Sequence, residues 1–461
     1  MTDWKEASCL GILLASAFVP AVLVYRRRGD LFDPRIFFPL LYAYASAGPI
    51  VFKIAFTGEY HPGLKTHMLN AVLCSCATAV VGFNAGATFG LRNTGRRRRA
   101  RRPQHALFTE RDRLSNRYVR DLAVLGAAVT LGGFAAVSYE LWSGASGYSK
   151  AYHLATASES ITHWYYFFAA ASTASVSLAV ITGAHVSRSA FSPPILGLLG
   201  AHFAICSYSG ERDALLVGAL WCLSNWRRLS KPVVVSVAIA GVGWLGLSPL
   251  LRNAGAGIDV RLALLDEVGI EDVARSVTHF APNVHVFTNV ATDVPSTEPH
   301  WRGRSIVGSL LSFLPFEPAW AKETPTRWFR EVYDHQRVAG YAFAQDAEAY
   351  LNFGWIGPPL WFAVWGYAMS VAYRNAIRAD ARLWTVFLWW HAVSVSAFGI
   401  RADSRGMLKS LIIGAVASKT LCFLGDLRAA RRLRSAKRLA PPPAGRRANP
   451  AAARRTSRLA A

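Results

Sequence analysis

Apolar residues along this chain come in long blocks separated by short charged segments. A helix needs roughly 20 apolar residues to cross a hydrocarbon core of about 30 Å. Eleven blocks are candidates: 7–25, 36–56, 67–91, 121–142, 161–183, 193–209, 213–226, 232–251, 347–373, 383–400 and 406–424. The seventh, DALLVGALWCLSNW, is short enough to be re-entrant or a tilted half-span. Lys53 falls near the end of the second, where a long side chain can snorkel. The first block is long for a secretory leader, lacks an A-x-A cleavage pattern, and is followed rather than preceded by its basic run. It reads as a span.

Between the eighth and ninth blocks lies segment 252–346, too long for a plain connector. Within it, RLALLDEVGIEDVARSVTHF has apolar residues at helical spacing, and RSIVGSLLSFLPF reads as an amphipathic helix at the interface. Prolines at 282, 295, 299, 315, 318 and 325 divide the segment into short pieces. The expected arrangement is spans 1–8 within residues 1–251, interrupted by a basic loop at 92–120. A helical cap at 252–346 follows, then spans 9–11 within 347–424. The tail 425–461, with three prolines at 441–443 and interspersed arginines, reads as disordered. The fold class is an all-α polytopic membrane protein of about 11 transmembrane helices with a large helical outer loop.

Composition agrees with that pattern. Of 461 residues, 52% are hydrophobic and 17% charged, against about a quarter charged in ordinary soluble chains. The formal charge of +23 could indicate a nucleic-acid binder, so the placement of the charges decides. With the N-terminus outside, the inner segments carry 33 Lys and Arg and the short outer segments six. That split satisfies the positive-inside rule, which gives an N-out, C-in topology. GRRRRARR (95–102) and RAARRLRSAKR (428–438) abut spans on the inner side and carry no interleaved aromatics. Contact with anionic headgroups accounts for them, and no nucleic acid is needed.

The six cysteines all fall inside apolar blocks and read as small buried hydrophobes. Cys74 and Cys76, two apart on a helix, point to different sides and cannot share a metal. Zinc, nucleotide-loop and serine-hydrolase motifs have no usable context, and no metal or cofactor is expected.

Three charge clusters at outer membrane boundaries carry the chemistry. In SYSGERDALL (207–216), Arg212 opens a helix whose N-terminal N–H groups favour anions. In YAFAQDAEAYLNFGWIGP (341–358), Asp346 and Glu348 stand where the chain re-enters the membrane, with Tyr350 and Asn352 beside them. In FGIRADSRGMLKS (398–410), Arg401 and Arg405 are four apart and share a helical face, with Asp403 between them. Arginines in short outer loops run against the orientation bias, and each presents a rigid fork suited to two phosphate oxygens. Two or three of them can hold a diphosphate as it leaves, while Glu348 accepts a proton from an attacking hydroxyl. The side chains of Tyr350 and Asn352 suit sugars, with Asp346 and Asp403 as further sugar-binding or supporting groups. The reading is an outward-facing transferase site for a lipid diphosphate donor.

Residues 200–410 resemble the bacterial O-antigen polymerases, the Wzy-type oligosaccharide repeat-unit polymerases. The resemblance rests on GER (210–212) before an apolar helix, the late outer loop, the AEAYLNFG-x-x-G return (347–357) and RADSR (401–405). It implies a multi-span C-type glycosyltransferase architecture in the bacterial inner membrane. It also implies joining of undecaprenyl-diphosphate-linked repeats on the periplasmic face, into O-antigen, capsular or exopolysaccharide. Arg212, Arg401 and Arg405 would bind the diphosphate without a metal, and Glu348 would be the base or a structural anchor. Membrane lipid, a chain-length regulator and a repeat-unit flippase are the implied partners. An O-antigen ligase or another lipid-linked-sugar glycosyltransferase shares much of the pattern. An exporter or flippase for such lipids is the reading from another class.

Overall fold

The structure is a computed structural model of the chain. It describes residues 4–30, 33–56, 66–92, 110–142, 158–186, 191–209, 211, 213–225, 228–230, short stretches between 232 and 243, 283–312, 318–333, 343–378, 381–400 and 403–439. The described residues form helices and no strand: α1 (Trp4–Arg28), α2 (Pro34–Phe56), α3 (Thr66–Leu91), α4 (Glu110–Trp142), α5 (Glu159–Val186), α6 (Pro193–Ser209) and α7 (Asp213–Asn225) come first. After the cap segment begins, they continue as α8 (Asn283–Asp293), α9 (Arg304–Leu311), α10 (Pro325–Tyr333), α11 (Gln345–Phe353), α12 (Gly357–Ala376), α13 (Leu383–Gly399) and α14 (Ser404–Leu439). Among the described residues, five helices, α1, α3, α4, α5 and α14, are long and apolar enough to cross a membrane, and the chain is a helical membrane protein. At 13 residues, α7 spans about 20 Å, short of a full crossing. The eighth expected span, 232–251, falls mostly outside the described residues, as does the helix expected at 261–280.

Two expected elements differ in the structure. The ninth block, 347–373, is not one span. It is broken at Gly354, where φ is +64°, into α11, a short 3-10 turn over Gly354–Ile356, and α12. Glycine takes that left-handed φ without a Cβ penalty, and Pro358 then starts the next helix at a position where its missing N–H costs nothing. The second difference is the tail. Residues 425–439 continue α14 instead of being disordered, because Ala, Leu, Arg and Lys are good helix formers. Arg428 stacks on the Tyr118 ring at 4.9 Å and Arg432 donates to the Tyr118 hydroxyl at 3.1 Å, fixing this extension to α4.

The helix ends sort by charge. At one end, Arg28 and Arg35 both bind the fully buried Asp33, and Tyr373 donates to Asp30. Arg374 donates to the Gly90 carbonyl and Arg228 to that of Ala184. This is the basic end. The cap helices α8–α11 lie at the other.

One group of helices centres on α3 and α12, with α1, α2 and the cap helices around them. Its aromatic core includes Phe38 and Phe83, stacked at 4.1 Å, with Phe362 at 5.6 Å from Phe38. The backbones of α3 and α12 touch. A Cβ on Gly82 would lie 2.2 Å from the Pro359 carbonyl oxygen, one on Gly86 1.9 Å from that of Ala363, and one on Gly366 2.2 Å from that of Phe83. Glycines four apart open such a groove, as small residues do wherever membrane helices approach closely. The other group, α4–α7, packs through Ala127, Val176, Val217 and Trp221, and Thr130 and Ser175 share a hydrogen bond of 2.6 Å between α4 and α5. Helices α13 and α14 join the two groups.

Candidate functional site

The cap is built on α11. Backbone N–H groups of Trp301 and Arg302 donate to the carbonyls of Leu351 and Asn352, satisfying the last turn of α11 with chain from 50 residues earlier in sequence. Tyr350 lies edge-on to Trp355 and to His300, and its hydroxyl donates to the Val294 carbonyl at 2.8 Å. On the far side, Tyr333 of α10 donates to Asp293 of α8, and Phe329 packs on Phe343. Residues 345–352 are all buried, which is unusual for a segment that contains two carboxylates and two amides.

Glu348 is the centre of that burial. It is 2% exposed, and both carboxylate oxygens accept short hydrogen bonds. Oε1 takes the hydroxyls of Ser305 and Ser404, each at 2.6 Å, and Oε2 takes the Ser404 backbone N–H at 2.6 Å. Asn352, one turn on, donates to the Ser305 hydroxyl at 2.7 Å and to its own helix at the Glu348 carbonyl. Ser309 closes the ring with a 2.9 Å bond to Ser404. Glu348 therefore sits on the N-terminus of α14, where unpaired N–H groups and the helix dipole favour an anion. Burial, and secondarily the negative charge of Asp403, push its carboxyl up to about 7, although the serine bonds favour the ionised form. A general base must reach its substrate hydroxyl directly or through one water. A carboxylate enclosed on three sides by its own fold instead works as a tie between α9, α11 and α14.

Helix α9 accounts for the tie. The sequence suggested an interfacial helix from RSIVGSLLSFLPF, and Arg304–Leu311 is helical, but the face turned inward is the small one: Ser305, Gly308 and Ser309. Val307 and Leu310 face outward. The hydroxyls go in because Glu348 and Ser404 need donors there.

The other expected site residues take varied positions. Asp346 is 1% exposed and accepts from the Tyr42 hydroxyl at 2.5 Å and from the Cys76 thiol at 3.6 Å, tying α11 to α2 and α3. Tyr350 and Asn352 are equally enclosed, so all three support the cap from within and present no surface to a sugar. Asp403 is half-buried. It accepts from Thr326 of α10 at 2.8 Å and from the Gly406 N–H at 3.2 Å, capping α14. Arg405 lies one residue beyond Ser404, and its Nη1 donates to the Ala321 carbonyl at 3.2 Å. Arg212 and Arg401 lie outside the described residues. Glu211, next to Arg212 in the sequence, accepts from the Tyr165 hydroxyl of α5 at 2.8 Å.

The structure adds Arg304, which the sequence reading passed over. It donates to the Trp320 carbonyl at 3.3 Å and to Glu323 at 2.7 Å, and its guanidinium lies 5.7 Å from the centre of the Trp301 ring. Arg304 and Arg405 thus bind successive carbonyls of the 3-10 turn Ala319–Lys322 from two different helices. Two guanidiniums, one of them paired with Glu323, bind one turn beside the buried N-terminus of α14. Among the described residues, no group of three His, Cys, Asp or Glu side chains is placed to hold a metal ion. No family model matches the chain, and no similar curated protein or solved structure was found.

Proposed function

We propose that this protein is a glycosyltransferase of the bacterial inner membrane that joins undecaprenyl-diphosphate-linked oligosaccharide repeats on the periplasmic face. The observation that carries the reading is the position of Arg405. It stands at the cap end of α14, one residue from the Ser404–Glu348 node and beside Arg304. A guanidinium held by such a buried scaffold is preorganised for the two oxygens of a phosphate. In this reading Arg405, with Arg401 and Arg212, holds the diphosphate of the donor and stabilises its charge as undecaprenyl diphosphate departs. The non-reducing-end hydroxyl of the incoming repeat attacks the anomeric carbon of the growing chain. Glu348 positions Arg405 through Ser404.

The test is the saccharide ladder in a deletion strain complemented with variants. Arg405→Ala, accumulating normally in the membrane, is expected to leave single-repeat product and no long chains. Arg405→Lys should rescue poorly, because an ammonium cannot supply two parallel bonds. A deletion strain with an intact ladder refutes the polymerase. Full-length polymer stranded on its lipid carrier points to a ligase, and repeats trapped on the inner face point to an exporter.

A further inference from the structure

Cys74 and Cys76, two apart on α3, have different partners. Cys76 turns inward to Asp346, whereas the Cys74 sulfur lies 3.5 Å from the sulfur of Cys9 on α1. Both are thiols in this structure, with Cys74 exposed on the helix surface and Cys9 partly so. Their height is set by helix geometry. Cys9 precedes Arg28 by 19 residues and Cys74 precedes Arg92 by 18, and both arginines lie at the basic end. At about 1.5 Å per residue the pair stands about 28 Å from the basic rim, at the far edge of a hydrocarbon core of about 30 Å. With the basic end inside, that edge is the water boundary of an oxidising compartment. The remaining cysteines are placed elsewhere: Cys206 contacts His202 within α6, and Cys222 and Cys422 belong to α7 and α14.

We infer that Cys9 and Cys74 form a disulfide that staples α1 to α3. The step is an exchange with a disulfide-donating thiol oxidant of that compartment. The Cys74 thiolate, the more exposed, attacks one sulfur of the oxidant's disulfide and expels the other as a thiolate. Cys9, deprotonated, then attacks Cys74 in the mixed disulfide. The protein gives up two protons and two electrons, and the oxidant leaves as a dithiol. Closing the bond brings the sulfurs to about 2.05 Å by rotation of two side chains already in contact. The staple has a mechanical target. Helix α1 packs on α2 and α3 with only Leu13, Ala17 and Ala21 buried, and it lines a groove of about 900 Å³ with α3 that runs from Ile12 to Arg92. The bond would close the outer end of that groove and hold α1 on the bundle, independently of which reaction the cap performs.

The experiment uses the full chain in native membranes. Free thiols are blocked with an alkylating reagent before lysis, and peptides are analysed by mass spectrometry without reduction, in a Cys76→Ala background to make the assignment unique. A linked Cys9–Cys74 peptide as the major form, absent in Cys9→Ser and in Cys74→Ser, is the expected result. Both cysteines alkylated without prior reduction would overturn the inference. A link that forms only after a chemical oxidant is added overturns it equally, since the thiols then meet but stay reduced in the membrane. Saccharide ladders from the same strains report separately on the polymerase reading.

Discussion

Gly86→Ala adds one methyl group where α3 and α12 touch backbone to backbone, and its cost follows from the geometry. The new Cβ would lie 1.9 Å from the Ala363 carbonyl oxygen, whereas ordinary contact begins at 3.4 Å. The two helices must therefore separate or slide by about 1.5 Å. Neither backbone can rotate out of the way, unlike the tip of a side chain. Overpacking of this kind costs about 1–3 kcal/mol. Alanine's better helix propensity returns at most about 1 kcal/mol. The expected net loss is about 1–2 kcal/mol, seen as a fall of a few degrees in the thermal midpoint of the detergent-solubilised protein. Gly132→Ala on α4 is the control, because a Cβ there meets nothing within 4 Å. It should be neutral or slightly stabilising. Gly366→Ala collides with Phe83 from the opposite side of the same seam, so one separation relieves both clashes and the double variant should lose less than the sum. If Gly86→Ala and Gly132→Ala melt together, the close approach of α3 and α12 is wrong.

Glu348 makes stability depend on pH. Its carboxyl rises from 4.5 to about 7 on folding, so between those values the folded chain keeps a proton that the unfolded chain has released. Stability is full below about 4.5 and falls by about 3 kcal/mol as pH rises through 7. Hydrogen exchange across 300–312 and 404–410 should quicken over that range in the natural protein and stay level in Glu348→Gln. Ser404→Ala and Ser305→Ala each remove a hydroxyl from the same oxygen and should each cost about 1–2 kcal/mol in thermal unfolding, less than additively when combined. Equal and additive losses would show two independent bonds in place of one node. Arg405→Ala should abolish chain extension while lowering the thermal midpoint by far less than Ser404→Ala.

The sequence was most readable where one segment decides its own structure. Block 193–209 coincides with α6 at both ends, since prolines open it and a polar turn closes it. The broken span was misread because Phe353, Trp355 and Ile356 keep the window apolar across Gly354. The glycines at 354 and 357, followed by two prolines, were the available sign of a stop and restart. Gly82, Gly86 and Gly90 could also have been read, as glycines four apart in an apolar helix. What lay beyond the sequence is the partner of each buried group. Glu348 meets Ser305 and Ser404, which are 43 and 56 residues away, and Asp346 meets Tyr42 across 304 residues. Composition marks those carboxylates as unusual at a membrane edge. It could not say that the fold uses them as internal ties.

Helix α14 joins two regions usually thought of separately. Its first residue, Ser404, is bound into the Glu348 node, and 24 residues later Arg428 rests on Tyr118 at the basic end. The helix then continues to Leu439, for a total length of about 54 Å. An unbroken helix resists twisting, so the two ends cannot turn independently. A torque on the arginine-rich arm at the basic end would be delivered as rotation at Ser404, beside Arg405. The helix is thus a drive shaft between the two ends of the molecule, with its handle at the basic end and its working end beneath the cap.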